Sequence, residues 1–392
     1  MEQRSDQVVN DNDKATQYLY ELALKLLELK GSDIFITAGS PAAFKINQEI
    51  RRVGGPSLSP QQVALLVRSI MNDRQAREFD QYHEVNFSLN FPDVARFRVS
   101  GFTQRGSAGM VLRLIQQRIP TLEELHLPPI LRDIALAKRG LVIFLGGTGC
   151  GKTTSMAAMV DYRNSQCREH IITIEDPIEF FHRHKLSLVD QREVGVDTDS
   201  YETALKNTLR QAPNVILIGE VRDRETMQAV INFAETGHLC LTTLHANTTD
   251  QAFDRIINFF PEERHTQVLM DLSFNMKAFV SQRLLPRADQ SGLIPAVEIL
   301  LNTPLMADLI FQGRIKEIKT MMVRSSDQGI VTFDMALFDL YEAGQISYET
   351  AIRHADSANN LRLKIKLESK RPPPRSASEN SQLNVDGDQR RR

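Results

Sequence analysis

At 392 residues the chain is too long for one ordinary hydrophobic core and predicts two folded domains. Hydrophobic residues at 42% and charged residues at 24% exclude a disordered chain, and 47 Lys plus Arg against 49 Asp plus Glu argue against a protein that coats nucleic acid. No stretch has the length and apolarity of a membrane span, the polar start MEQRSDQVVNDNDK has no signal core, and Cys150, Cys167 and Cys240 have neither the number nor the spacing of a disulfide framework or a zinc knuckle. The expectation is a soluble, cytoplasmic chain.

Residues 1–14 read as a disordered lead. From 15 to 30, Tyr18, Leu19, Leu22, Leu26, Leu27 and Leu29 recur at helical spacing, and Gly31 supplies the stop. SDIFIT, AAFKIN and EIRRV alternate in polarity and are parted by Gly39, Ser40, Pro41 and Asn47, which predicts short strands. Helices are expected over 60–71 and 74–82, after which VNFSLN, ARFRVSGFTQ and GMVLRLI return to strand and close a first α+β domain at 15–116. A connector with Pro120, Pro128, Pro129 and one helix fills 117–139.

Beyond it the pattern changes to apolar runs followed by helices: GLVIFLGG before KTTSMAAMVDYRN, then HIITIED, YETALKNTLRQ, NVILIGE before RETMQAVINFAE, and HLCLTTLH before a helix from about Asp250. Runs of this kind predict an α/β domain over 140–368 with a mainly parallel sheet covered on both faces. Further helices are expected at 267–283, 304–311, 332–343 and 347–354. The end, 369–392, lacks apolar periodicity and reads as a disordered tail, with six basic residues against three acidic ones from Lys370 onward. A solubilising tail and a docking segment for an anionic membrane or an acidic partner are both open for it.

The strongest chemical signal is Gly146, Gly147, Thr148, Gly149, Cys150, Gly151, Lys152 and Thr153, which fits G-x-x-x-x-G-K-[ST] between the apolar strand LVIFL and a helix, with Thr154 following. Glycines let the backbone curl so that consecutive N–H groups face phosphates at a helix N-terminus. Lys152 is expected on the β and γ phosphates and the Thr153 hydroxyl on Mg²⁺. Cys150 is expected to be a small filler residue.

Two acidic groups sit at the carboxyl ends of apolar strands, where ligands collect in such sheets. One is Glu220 in NVILIGEVRD, placed to hold the Mg²⁺ shell or to polarise an attacking water. The other gathers Glu175, Asp176 and Glu179 around Pro177 in ITIEDPIE. TGHLCLTTLH offers His238 before a strand and His245 at its end, either of which could sense the γ-phosphate.

LRQAPNVILIGEVRD resembles the signature of secretion and type IV pilus ATPases of the GspE, PilB and PilT type, ITIEDPIEF resembles their Asp box, and TGHLCLTTLHANT resembles their His box. With the glycine loop, four motifs stand in family order, and the resemblance covers about 15–367. It implies a PAS-like N-terminal domain, a RecA-like C-terminal P-loop NTPase domain, ATP with Mg²⁺ bound between them, and a homo-hexamer. It also implies arginines of the first domain reaching the phosphates. ARFRVSGF and MVLRLI match that region, which assigns Arg98 and Arg113 to this role and makes Arg96 a weaker candidate.

The chain lacks the long N-terminal domain and the tetracysteine zinc site of the extension ATPase PilB and is similar to the retraction branch, PilT and PilU. Asn214 stands where the signature has Asp. Phe311 and Gln312 in LIFQGRIKE stand where PilT proteins resemble LIREGKIHQ, which together with the Pro- and Arg-rich tail points to the PilU side of that branch. The implied function is an ATPase motor for pilus retraction and twitching motility at the cytoplasmic face of the inner membrane. The implied partners are a PilT paralogue and a PilC-like platform protein, with membrane association through partners and no nucleic acid. Two rivals stay open: an ATP-binding ring subunit with little hydrolysis of its own, and a nucleic-acid translocase.

Overall fold

The structure, a computed structural model, describes residues 2–46, 49–92, 94–115, 118–325 and 329–371. Backbone packing divides the chain into two compact units. The first comprises Met1–Ile119, Ile174–Arg183 and Gln191–Ala204, and the second comprises Pro120–Thr173, His184–Asp190 and Leu205–Arg392. This departs from the expected boundaries of 15–116, 117–139 and 140–368, because the connector joins the second unit and two stretches of the expected second domain group with the first.

The first unit opens with α1 (Glu2–Glu28), which begins at Glu2 rather than at residue 15. No Gly or Pro interrupts the chain before Gly31, so nothing in the expected lead breaks the helix that the apolar stripe starts. Six strands follow: β1 (Asp33–Thr37), β2 (Ala43–Ile46), β3 (Glu49–Arg52), β4 (Glu84–Phe91), β5 (Ala95–Gln104) and β6 (Ser107–Ile115), forming a sheet of order β3-β2-β1-β6-β5-β4. Its neighbouring strands pair antiparallel. Ala95, Phe97 and Val99 of β5 alternate inward with Phe87 and Leu112 of its neighbours, and α1 and α2 (Pro60–Ser69) close the core with Leu19, Leu26 and Val63. Reciprocal capping starts α2 at Ser59 with Gln62 and α3 (Asp73–Tyr82) at Asn72 with Gln75.

In the second unit α4 (Ile130–Ala135) precedes β7 (Gly140–Leu145) and α5 (Lys152–Gln166). The chain continues through β8 (His170–Glu175), β9 (Leu188–Glu193) and α6 (Tyr201–Thr208), of which 174–175, 191–193 and 201–204 group with the first unit, and then β10 (Val215–Ile218), α7 (Arg224–Glu235), β11 (Leu239–Leu244) and α8 (Thr249–Asn258). After α9 (His265–Asn275) come β12 (Met276–Pro286) and β13 (Leu293–Leu301), completing a sheet of order β13-β12-β7-β11-β10-β8-β9. β10, β11, β7 and β12 pair in parallel, and every residue of β7, β10 and β11 is buried. That is why they read as unbroken apolar runs.

The helix expected over 267–283 is corrected. α9 stops at Asn275, whose side-chain amide donates to the Asp271 carbonyl, and Met276–Pro286 is strand beside β7. Helical spacing ran into FVSQRLL without a Gly or Pro between them, so only the tertiary pairing separates the two elements. β9 and β13 were not anticipated; Pro295 argues against a strand, and β13 tolerates it as an edge strand. The expected helices at 304–311, 332–343 and 347–354 correspond to α10 (Pro304–Phe311), α12 (Phe333–Glu342) and α13 (Tyr348–His354), while α11 (Ile315–Arg324) and α14 (Ala358–Glu368) are additional.

The tail expectation for 369–392 is corrected at its start. Ser369 and Lys370 donate to the Glu342 carboxylate, and Arg371 donates to the Tyr341 carbonyl while stacking over that ring. The rest of that segment lies outside the described residues. Among the described residues no helix is long and apolar enough to cross a membrane.

Candidate nucleotide site

The glycine loop leaves β7 after Leu145 and enters α5 at Lys152. Gly151 caps α5 in a left-handed conformation, φ 89°, with no side-chain cap, so the first-turn amides face outward for a ligand. Gly146 is held where a Cβ would lie 2.4 Å from Cys150 Sγ and 2.7 Å from the Gln282 carbonyl, so no larger residue fits. Gly147, Thr148, Gly149 and Gly151 donate no backbone hydrogen bond among the described residues, and neither does the Thr153 hydroxyl. Lys152 is buried, its ammonium donating to the carbonyls of Gly146 at 2.8 Å and Gly147 at 2.9 Å. Thr154 is half-buried in the same first turn. Free amides, an ammonium and a free hydroxyl at one helix start are the donor set that polyphosphate with Mg²⁺ requires, so the residues fit both groups.

Sequence reasoning missed Gln282. Its side chain, on β12, donates to the Cys150 carbonyl at 2.8 Å and accepts from Ser155 Oγ at 2.8 Å, bracing the loop against the helix that follows it. No motif marks this glutamine; its role comes from the placement of β12 beside β7, with Ser281 opposite Leu145.

The carboxyl edge of the parallel sheet brings two expected residues together. Glu220 follows β10 by one glycine, and His245 immediately follows β11, with Thr243 Oγ1 donating to the Gly219 carbonyl between them. His245 Nε2 lies 2.9 Å from Glu220 Oε1, and Arg222 Nε donates to Glu220 Oε2 at 2.9 Å. Both carboxylate oxygens are therefore engaged. Leu244 pairs with Leu145, which sets His245 at the same sheet edge as the loop.

His238 is placed elsewhere, and its expected role is corrected. It precedes β11 at the opposite edge, where its carbonyl accepts from Gly140 and its ring contacts Thr236 Oγ1 at 3.0 Å and the Phe233 carbonyl at 3.1 Å. About 20 Å of strand separates it from His245. It closes the turn after α7.

Glu175, the last residue of β8, is buried and accepts from Gln191 Nε2 at 3.2 Å, while Asp176 and Glu179 are exposed. All three fall in segments of the first unit. The departure at Asn214 is structural: its side-chain oxygen accepts from the His170 amide at 3.0 Å.

Arg98 and Arg113 belong to the first unit and stand directly opposite each other on β5 and β6. Asp33 lies next in the row on β1, Ser88 on β4. The Arg113 Nε donates to Asp33 Oδ1 at 2.8 Å; Asp33 is buried, and Arg113 is 68% exposed. The other end of the row is fixed by Ser88, whose hydroxyl faces both oxygens of buried Glu193 at 3.2 Å. Arg96 shares the face, with its Nε buried and, among the described residues, without a hydrogen-bond partner. Phe311 is 52% exposed, so it is not a core residue.

Residues 9–358 match the family model of the type II/IV secretion system protein. The chain is 58% identical over 349 residues to the type IV pilus ATPase PilU of Pseudomonas aeruginosa, covering 89% of this chain and 91% of that protein. It is 39% identical over 330 residues to the type IV pilus retraction ATPase PilT of the same organism, covering 84% and 96%. The solved structure of the pilus retraction motor PilT with bound ADP superposes with a TM-score of 0.82 at 38% identity, covering 88% of this chain and 98% of that one. A loop built for phosphates at the edge of a parallel sheet, in a chain this similar over nearly its whole length, places the protein in the type II/IV secretion system ATPase family, in its PilT/PilU branch, with an N-terminal domain and a RecA-like ATPase domain.

Proposed function

We propose that the chain is an ATPase of type IV pilus retraction and twitching motility. The observation that carries this is the cluster at the carboxyl edge of the second sheet: free loop amides, Lys152, and the Glu220–His245 pair. Binding would exchange the loop carbonyls on Lys152 for phosphate oxygens, with the amides of 147–151 taking the remaining charge. Mg²⁺, when bound, neutralises charge that builds on the transferred phosphoryl; Thr153 would hold it. Glu220 would orient the attacking water, with His245 able to take or return a proton at Nε2. Arg98 and Arg113 would add positive charge against the transferred phosphoryl group. A homo-hexamer working on an inner-membrane platform protein at the cytoplasmic face is the assembly this reading implies.

A second reading, hydrolysis that depends on a PilT paralogue, is favoured by Glu220 itself, because Arg222 and His245 occupy both of its oxygens. Phe311, exposed on α10, is the place where such a partner would dock. Phosphate release measured with and without the paralogue separates the readings. Lys152→Ala should lose nucleotide binding and turnover together, whereas Glu220→Ala should bind ATP and turn over about 10²- to 10⁴-fold more slowly. Parental turnover in both variants would remove this site from consideration.

A further inference from the structure

Helix α14 presents two different faces. Leu361 and Ile365 are buried in a core shared with Phe333 and Leu337 of α12 and Ala351 of α13. On the outward side Leu363 is 57% exposed and Leu367 is 72% exposed, one turn apart. Arg362 and Lys366 stand beside them at the same spacing, also exposed, and Lys370 follows just past the helix end. Two further cations turn inward instead, Lys364 over the Phe338 ring and Arg371 over the Tyr341 ring. Residues 362–371 thus hold five basic side chains against the single acid Glu368, in a chain whose net charge is -2. Among the described residues Arg362, Lys366 and Lys370 make no ion pair; Arg362 donates only to Asn359 Oδ1 at 3.3 Å. The hydrogen bonds of Ser369 and Lys370 to Glu342 hold the end of the helix in place.

We propose that the outward face of α14 is a contact for an anionic lipid surface. Interleaved leucines and cations on one exposed face suit the boundary between headgroups and acyl chains, where the leucines leave water and the cations meet phosphates. A nucleic acid would use the same charges yet leave Leu363 and Leu367 in water. The contact is peripheral and reversible, since it involves one short helix. It does not depend on the nucleotide site, and repetition in a ring would multiply its strength.

Co-sedimentation of the full chain with vesicles of phosphatidylcholine alone, or mixed with phosphatidylglycerol, tests it. Binding should require the anionic lipid and fall with added salt. The triple change Arg362→Gln, Lys366→Gln, Lys370→Gln should weaken it by about a hundredfold, at about fivefold per charge. Leu363→Ser with Leu367→Ser should weaken it roughly tenfold while retaining the salt dependence. Both variants should keep the parental Tm and ATPase rate, which excludes misfolding as the cause. Equal binding to neutral vesicles would overturn the proposal, as would a charge variant that binds like the parent. If the leucine variant binds normally and duplex DNA displaces the vesicles, the face is a plain polyanion contact and the proposal fails.

Discussion

The two sheets present their reactive side chains in different ways. In the seven-stranded sheet they stand beyond strand ends: the glycine loop after β7, Glu220 after β10 and His245 after β11. In the six-stranded sheet Arg98 and Arg113 lie within strands, side by side across β5 and β6. Residues at strand ends are gathered by parallel pairing and need only a loop that turns, whereas residues on a face are aligned by register, so a slip of one position would move every one of them to the other side.

The largest effect should come from the arginine row. Arg98→Ala and Arg113→Ala should each slow hydrolysis by about 10³-fold or more if they reach the phosphates, with little change in ATP affinity. Their stabilities should differ. Two like charges directly opposite destabilise a sheet by about 0.2–1 kcal/mol, so Arg98→Ala should be neutral or slightly stabilising. Among the described residues, Arg113→Ala leaves the buried Asp33 carboxylate with only the Ser32 hydroxyl and should cost about 1–3 kcal/mol. Urea melts of both variants beside single-turnover rates would sharpen the comparison. Normal hydrolysis in the double variant would break it, leaving the row an ordinary strand face.

This difference also decided what the sequence disclosed. Strand-end chemistry is punctuated: glycines before Lys152, and an apolar run before Gly219 and Glu220, locate the loop and the carboxylate without any tertiary knowledge. The two histidines flank the same apolar run, and the string LCLTTL does not say which end meets the loop; the pairing of Leu244 with Leu145 does. The arginines were found only through resemblance, because register is not written locally. Gln282 was hidden for a further reason, since its strand continued a helical pattern and carries no turn signal.

Gln282 is the exception within the second sheet, a strand-face residue that touches the loop. Gln282→Ala removes the buried hydrogen bond from Ser155 and the part-buried one to Cys150, whose carbonyl loses its donor. A loss of about 1–2 kcal/mol in nucleotide binding, roughly five- to thirtyfold in Kd, is expected by titration calorimetry. Gln282→Glu should be worse, because it sets a carboxylate beside the Cys150 carbonyl. An unchanged Kd with a lowered Tm would show that the side chain only packs, and strand ends would then account for the whole site.

The smallest effect concerns a strand-face group with no part in the chemistry. Glu298, on β13 opposite Ser281, is fully buried; it accepts from Thr249 Oγ1 at 2.9 Å, and Lys319 Nζ lies 3.4 Å away. Burial pushes its pKa above the ordinary carboxylate range, and the nearby Asp356 adds to this, while Lys319, Thr249 and the Phe333 amide oppose it. Asp250 and Asp334, both near Lys319, are raised by burial as well. A carboxyl raised in the folded state contributes stability that is fully present below its unfolded pKa and is lost as pH rises through the folded value, at about 1.4 kcal/mol for each pH unit between the two. Stability should therefore decline as pH rises from the ordinary carboxylate range toward neutrality. Glu298→Gln keeps an oxygen to accept from the Phe333 amide and gains an NH₂ that can donate to the Thr249 hydroxyl oxygen, and Lys319 keeps Asp356. The variant should be as stable as the parent or about 1 kcal/mol more stable at neutral pH, with a flatter dependence below it. A loss above about 2 kcal/mol at neutral pH would show instead that the ionised pair with Lys319 holds the helices onto this face, and that faces of the second sheet, like those of the first, depend on matched charge.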